Sequence, residues 1–393
     1  MNDGMKKAKR KTIVVAGTLD LDIVPVFGWE EARPIEEIVV PGHVIENRRL
    51  TVNAGGCVSN TGLGLAKLGA DVLLMGKVGK DVFGNTLRDL LSEYASTEYI
   101  IASEACATST SIVLTFPGHD RIFIYASSAE DTFNMEEVNF DVISNCALFH
   151  FGYPNGFEYL FRNKGENCIE MFRRIKQSGT ITSLDMAMVD IEAPVPTDWE
   201  AMIKGLMPYV DLFEPSIEEL SYYIDRDEYF KLLERAKSEK ADITQMITPE
   251  YVHKLAGKLI AWGAGVALVK CGAKGMYMRC GSREIMEDIS TRLGRDMTGW
   301  ADVSHFERAY KPERFRAATG AGDISIAGFL AAIMQGYNWE RCLQLAAAAG
   351  ATCVTTYDTI SAVCPLAELS AKIEKGWAKN DEAWMDGSSF VSV

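Results

Sequence analysis

Short, nearly continuous apolar runs recur along this chain, each followed by a longer stretch of helical period. That rhythm restricts the possible folds more than any other feature. The runs at 12–17 (TIVVAG), 71–78, 147–151, 180–185, 210–213 and 266–270 read as buried strands. Several lack an alternating polar face, as expected of strands covered on both sides of a parallel sheet. Between them lie helical patterns such as 59–68, closed by Gly69, and 157–177, closed by Gly179. Glycine suits the left-handed residue that ends a helix. Repeated strand–helix–strand units predict an α/β protein with a mostly parallel sheet between helix layers.

Two stretches depart from the rhythm. Segments 23–52 and 109–126 read as strands joined by turns, at Pro41-Gly42 in the first and at Pro117-Gly118, before Asp120-Arg121, in the second. In the second, Ser111, Val113 and Thr115 alternate with Ile112, Leu114 and Phe116, a half-exposed pattern. Both predict strands of a small antiparallel lid sheet above the C-terminal strand ends, where open α/β sheets bind ligands. The charged segments 225–248 and 282–313 read as solvated peripheral insertions. From 362 onward no chemistry is recognisable, and Trp377, Trp384 and Phe390 are expected to dock on the surface or at an interface.

A chain of 393 residues with 48% hydrophobic content has enough material for a sizeable core. No apolar run approaches the roughly 18 residues of a membrane span. The basic opening Met5–Lys11 precedes an apolar stretch broken by Asp20 and Asp22, unlike a secretory signal, and reads as the solvated leader of a cytoplasmic protein. A net charge of −14 argues against nucleic acid, whose binding needs clustered Lys and Arg, but leaves room for a local nucleotide pocket. The nine cysteines are scattered, odd in number and never spaced C-x-x-C, which suits free thiols in a reducing compartment. The five histidines contain no metal-binding pair spacing, so no dedicated protein-ligand metal site is expected.

The motif richest in chemistry is Thr319-Gly320-Ala321-Gly322-Asp323, followed at once by the apolar run 324–334. A glycine turn opening a helix aims bare N–H groups and the positive end of the helix dipole at one spot, which favours an anion. Asp323 adds a carboxylate able to accept a proton from an attacking hydroxyl. Together these are the means for moving a phosphoryl group onto an alcohol; the simpler alternative is a turn with Asp as a helix cap. Nothing in the chain reads G-x-x-x-x-G-K-[ST], so phosphate chemistry must rest on Gly320–Asp323.

Gly55-Gly56 ahead of a helix allow close backbone approach, and Asn60 offers donors and acceptors suited to a polyol. Asp20 and Asp22, just past the first strand, are placed to hold sugar hydroxyls; Asp22 is the stronger candidate. Gly62-x-Gly64 nearly matches a dinucleotide fingerprint, but Lys67 stands where the third glycine belongs, and the glycines fall inside a helical pattern.

Together these residues resemble the ribokinase-like (PfkB) carbohydrate kinase family. Gly55-Gly56 with Asn60, then 76–84 (GKVGKDVFG), look like its N-terminal signature, and Thr319–Asp323 through Phe329 its C-terminal one. Pro215–Glu219 resembles its acidic motif, and Val269–Gly275 its nucleotide-side glycine turn. The matches are in order and span roughly 12–362. The resemblance implies a Rossmann-like three-layer αβα sandwich with a β lid, within 1–365, followed by a surface-packed extension at 366–393. It implies transfer of the ATP γ-phosphoryl group to a hydroxymethyl group. Asp323 would be the general base and Gly320, Ala321 and Gly322 the anion hole. Asp20, Asp22, Gly55, Gly56 and Asn60 would bind sugar; Lys270, Gly272 and Gly275 would meet ATP, with 346–352 near the adenine. Glu219 would help arrange Mg²⁺ through water.

Four departures bear on these implications. Ala317 replaces an Asp that contributes to a monovalent-cation site, so cation activation does not carry over. Ser216 replaces Asn, and Lys270 replaces Thr, which suggests that the Lys270 ammonium contacts the ATP phosphates in place of a lost cation; a lysine whose head reaches water is the alternative. Met188 lies near a position often held by Arg after Asp185, which disfavours a phosphorylated sugar. The expected partners are a small sugar and ATP, with homodimerisation through the lid, and neither nucleic acid nor membrane. A nucleoside kinase stays open on Phe27, Trp29, Phe123 and Tyr125 in the lid. From other classes, a non-catalytic sensor would not need Asp323, and an NAD-dependent dehydrogenase would need an intact glycine fingerprint.

Overall fold

The computed structural model describes residues 11–119 and 122–380. Met5–Arg10 of the basic leader, the Asp120-Arg121 pair, Trp384 and Phe390 lie outside the described residues. The first strands are β1 (Ile13–Gly17), β2 (Asp20–Val26), β3 (Arg49–Gly55), β4 (Val72–Gly79) and β5 (Ser96–Ser103). Next come β6 (Thr110–Leu114), β7 (Ile122–Ala126), β8 (Leu148–Gly152) and β9 (Ile181–Asp185). The last are β10 (Leu212–Phe213), β11 (Val266–Lys270), β12 (Gly275–Cys280) and β13 (Ser304–Arg308).

Nine of these form one sheet in the order β13-β12-β11-β10-β9-β8-β1-β4-β5. All neighbours are parallel except at β12, which runs antiparallel to both β11 and β13. Every residue of β1 is buried, and successive side chains serve opposite faces. Ile13 and Val15 join one apolar cluster with Leu148, Ile324 and Phe329; Val14 and Ala16 join the other with Phe149, Phe151 and Phe172. This two-sided burial is why the runs read as unbroken apolar stretches.

The other four strands form the lid, in the order β3-β2-β6-β7. It is not wholly antiparallel: β2 pairs with β6 in parallel, and the two hairpin pairs flank that seam. The expected alternation in β6 holds in period, yet Ser111 and Val113 are the buried side and Ile112 the exposed one.

Both charged segments need correction. Segment 282–313 supplies the edge strand β13 and a helix, Arg283–Leu293, and buries Met286, Ile289, Trp300 and Phe306. Segment 225–248 forms helices Arg226–Glu239 and Ile243–Met246, which turn Tyr229, Ala236, Ile243 and Met246 inward. Their charge marks only the outer faces. Past 365 the chain forms a helix, Leu366–Glu374, burying Leu366 and Leu369, and then a bridge from Lys379 to Tyr310 beside β13.

Connections after β1 build the sheet toward β4 and β5, and those after β8 build it the other way. The strand order therefore reverses between β1 and β8, the point where open α/β sheets form a ligand crevice. There Gly17 and Gly152 come so close that a Cβ on Gly17 would lie 2.2 Å from the Gly152 carbonyl oxygen.

Candidate active site

Asp323 lies in the first turn of the helix Ala321–Gln335, capped by Gly320 at φ 70°. A Cβ on Gly320 would lie 2.2 Å from Thr359 Cγ2, so glycine is required there on both conformational and steric grounds. The first-turn amides have no carbonyl four residues back within the helix, which leaves its positive end available. Ala321 is the exception, because its N–H donates to the Ala318 carbonyl at 3.2 Å. Of the three residues expected to embrace an anion, Gly320 and Gly322 keep that opportunity in this conformation.

Asp323 itself is 4% exposed and surrounded by donors. Its Oδ1 accepts from the Tyr153 hydroxyl at 2.6 Å and from Thr61 Oγ1 at 3.2 Å; Oδ2 accepts from Asn60 Nδ2 at 3.1 Å. Burial pushes the carboxyl above its ordinary pKa, opposed by the Tyr153 hydrogen bond, the Lys270 charge and the Asn60 and Thr61 donors. Asn60 and Thr61 come from the helix Gly56–Lys67, three residues longer at its start than its apolar pattern suggested. Asn60, expected to face sugar, holds the base here.

Asp20 and Asp22 reach the same crevice from β2. Register pairs Asp20 with Gly55 and Asp22 with Asn53. A Cβ on Gly55 would lie 2.7 Å from Asp22 Oδ2, and one on Gly56 would lie 2.5 Å from the Thr18 carbonyl and 2.8 Å from Asp20 Oδ1. The two glycines therefore make room for the two carboxylates. Burial, then the charges of Asp22 and Glu130, hold Asp20 well above the usual carboxylate range, and burial pushes Asp22 to about 6. Glu130 accepts from the Leu19 amide and Ser109 Oγ, closing an acidic wall beneath the lid.

On the other side, Lys270 ends β11 with its ammonium on both oxygens of Asp185, at 2.7 and 2.8 Å. The side chains are 12% and 2% exposed, so the lysine head does not reach water as the alternative supposed. Burial opposes its charge, but Asp185 and Glu219 outweigh burial and raise its pKa. A Cβ on Gly322 would lie 3.5 Å from Lys270 Nζ, which brings this cation to the helix N-terminus. Glu219 caps its own helix, its Oε2 accepting from the Ser216 amide at 2.7 Å, and its charge acts on Lys270.

The glycine turn divides. Gly272 opens to free space, whereas a Cβ on Gly275 would lie 2.1 Å from the Glu307 carbonyl oxygen, so Gly275 serves the packing of β12 on β13. The stretch 346–352, expected beside adenine, is buried in the helix Trp339–Cys353, packed on the Asp323 helix. Three site residues were not anticipated. Thr61 follows Asn60 directly, and Asp185 closes a buried strand. Tyr153, in Gly152-Tyr153-Pro154 at the end of β8, had no legible signal because its role depends on a left-handed backbone, φ 64°. Such a conformation costs about 1–3 kcal/mol and is kept where neighbouring structure enforces it.

The residues present suit Mg²⁺ only as a water- and phosphate-held ion. Among the described residues no cluster of three or more metal-binding side chains occurs. Mg²⁺ usually keeps several waters and takes one or two carboxylates plus substrate phosphates. Glu219 is the carboxylate that would serve such an outer shell, since both oxygens of Asp185 already hold the Lys270 ammonium. No helix among the described residues is long and apolar enough to cross a membrane.

Known proteins sharing this architecture give the family. An uncharacterised sugar kinase of Archaeoglobus fulgidus is 24% identical over 300 residues, covering 75% of this chain and 96% of its own. A fructokinase of Vibrio alginolyticus is 22% identical over 328 residues, covering 80% of this chain and 90% of its own. The structure of Arabidopsis thaliana ribokinase complexed with ribose and ATP matches with a TM-score of 0.66 at 20% identity, over 91% of this chain and 97% of that one. A putative ribokinase II from E. coli in complex with ATP and Mg²⁺ matches with a TM-score of 0.64 at 18% identity, over 93% and 99%. The family model for pfkB family carbohydrate kinases matches residues 31–365. With that match over most of its length, and with the ordered motifs converging on one crevice, the chain belongs to the pfkB family of carbohydrate kinases.

Proposed function

We propose that this protein transfers the γ-phosphoryl group of ATP to a primary hydroxyl of a sugar, with Asp323 as general base. The observation that carries the reading is the buried Asp323 carboxylate at a helix N-terminus, in the crevice where the strand order reverses. The acceptor hydroxyl gives its proton to Asp323 as its oxygen attacks phosphorus in line with the departing ADP oxygen. The Gly320 and Gly322 turn meets the charge that builds on the transferring group. Asp20, Asp22 and the Gly55-Gly56 turn hold the other sugar hydroxyls. Closure of the lid keeps water from the base.

Lys270 contacts the ATP phosphates in this reading, with Asp185 holding the ammonium at the helix N-terminus beforehand. Gly272 lies on the nucleotide side. Mg²⁺, held by phosphates and by waters that Glu219 arranges, would neutralise phosphate charge. No nucleic acid or membrane takes part, and the setting is the cytoplasm, in keeping with the absence of disulfides among the described residues. Kinase domain 1–365 carries the chemistry, and the described part of the extension, 366–380, packs against it through Leu366 and Leu369. The outer lid face exposes Leu50, Val52, Ile112, Ile122 and Ile124, an apolar surface suited to pairing with a second lid. Two of the four lid aromatics are already engaged: Phe27 packs on Trp29 and Phe116 with ring centroids 4.7 and 4.9 Å apart, and Arg33 covers Trp29. That leaves Phe123 and Tyr125, opposite Val113 and Ser111, to carry the nucleoside alternative.

The test is ADP release from ATP·Mg²⁺ against a panel of neutral sugars, sugar phosphates and nucleosides. A neutral sugar is the expected acceptor, and Asp323→Asn should lower turnover about 10²–10⁴-fold. Near-wild-type turnover in that variant, or activity confined to nucleosides, would overturn the reading.

A further inference from the structure

The two oxygens of Asp323 are unequally engaged. Oδ1 accepts two hydroxyl protons, from Tyr153 and Thr61, whereas Oδ2 accepts one amide proton, from Asn60. A carboxylate oxygen offers two lone-pair positions. Oδ1 is therefore full and Oδ2 has one position open.

Tyr153 reaches Oδ1 through a backbone that its residue type resists. It is a bulky residue at φ 64° and ψ 51°, directly before Pro154. The residue preceding proline prefers extended backbone, and left-handed backbone is left mostly to glycine and asparagine. The conformation is enforced from both sides: Tyr153 N–H donates to the Asp185 carbonyl at 3.1 Å, and Gly156 N–H donates to the Tyr153 carbonyl at 2.9 Å. The first bond ties the end of β8 to the end of β9, next to the strand-order reversal, and the second closes the turn that follows. Strained residues of this kind gather where a site needs a fixed geometry.

We propose that Tyr153 is a positioning residue for the general base: its hydroxyl, with that of Thr61, immobilises Asp323 Oδ1 so that Oδ2 alone receives the acceptor proton. The inference rests on the phosphotransfer reading and deepens it. Asp323 also faces Lys270 of β11, Asp185 of β9, Asp20 of β2, Glu219, Cys57 and Cys353. Removing the Tyr153 hydroxyl leaves all six in place and takes away one group that favours the ionised carboxylate.

Tyr153→Phe keeps the ring and deletes the donor. The expected result is a kcat lower by about 10- to 100-fold with acceptor KM unchanged, because a misplaced base slows chemistry without loosening binding. The acid limb of the kcat–pH profile should move to higher pH, because the Tyr153 hydrogen bond favours the ionised carboxylate. Wild-type kcat with an unmoved acid limb in a folded Tyr153→Phe would overturn the proposal. If that variant does not fold, Tyr153→Asn, which tolerates the left-handed backbone, is measured and judged by the same two readouts. Asp323→Asn run alongside separates the failures. Activity there defeats the base assignment itself; inactivity there beside a wild-type-like Tyr153→Phe defeats only the role of Tyr153.

Discussion

Replacing Gly322 with alanine should damage catalysis while sparing the fold. Gly322 has ordinary helical backbone, so alanine meets no conformational penalty. Its new methyl would lie 3.5 Å from Lys270 Nζ and 3.6 Å from the Cδ and Cε carbons, ordinary contact distances. A glycine-to-alanine change within a helix favours folding by at most about 1 kcal/mol, a rise in Tm of no more than about 2 °C for a chain this long. The same methyl fills the space between the helix N-terminus and the Lys270 ammonium, where the transferring phosphoryl group is proposed to sit. Loss of one such donor contact costs about 10²–10³ in kcat. Gly320→Ala gives the contrasting result: at φ 70°, with its Cβ 2.2 Å from Thr359, it should lower Tm as well as activity. Thermal unfolding and coupled ADP release on the two variants make the comparison. A Gly322→Ala protein that is stable and turns over at the wild-type rate would refute the anion-hole assignment.

Two further outcomes follow from the charges of the crevice. Lys270→Met leaves Asp185, 2% exposed, without its counter-ion. Because burial already raises the Asp185 pKa and lets it take a proton, the fold should lose less in urea unfolding than the about 3–5 kcal/mol of a stranded charge, while the KM for ATP rises. Adding Asp185→Asn should restore stability but not ATP affinity, whereas wild-type ATP kinetics in the double variant would remove Lys270 from the nucleotide site. Asp20 and Asp22 have folded pKa values above the unfolded value of about 3.9, so between the two the folded state binds more protons. Their contribution to stability is full below that unfolded value and is lost as pH rises through the folded values, about 6 for Asp22. Tm should therefore fall from pH 5 toward pH 8 and fall less in Asp20→Asn; equal slopes in the two proteins would count against the shared burial.

The parallel core and the place of the Gly320–Asp323 turn at a helix N-terminus could be read from the chain because each depends on neighbours in sequence. Unbroken apolar runs report burial on both faces, and a glycine turn before an apolar helix reports a free helix N-terminus. The charged segments 225–248 and 282–313 misled for the same local reason: their charge lies on outer faces, while residues three or four positions apart, such as Met286 and Ile289, point inward. Pairings between distant positions were decided by the tertiary structure alone. Asp323 meets Asn60, Thr61 and Tyr153 across separations of 170 to 263 residues, and Lys270 meets Asp185 across 85. Composition and period carry no register between such positions; the sheet order brings their strand ends to one crevice. Sequence thus picked out the candidate carboxylate, and folding chose which donors hold it.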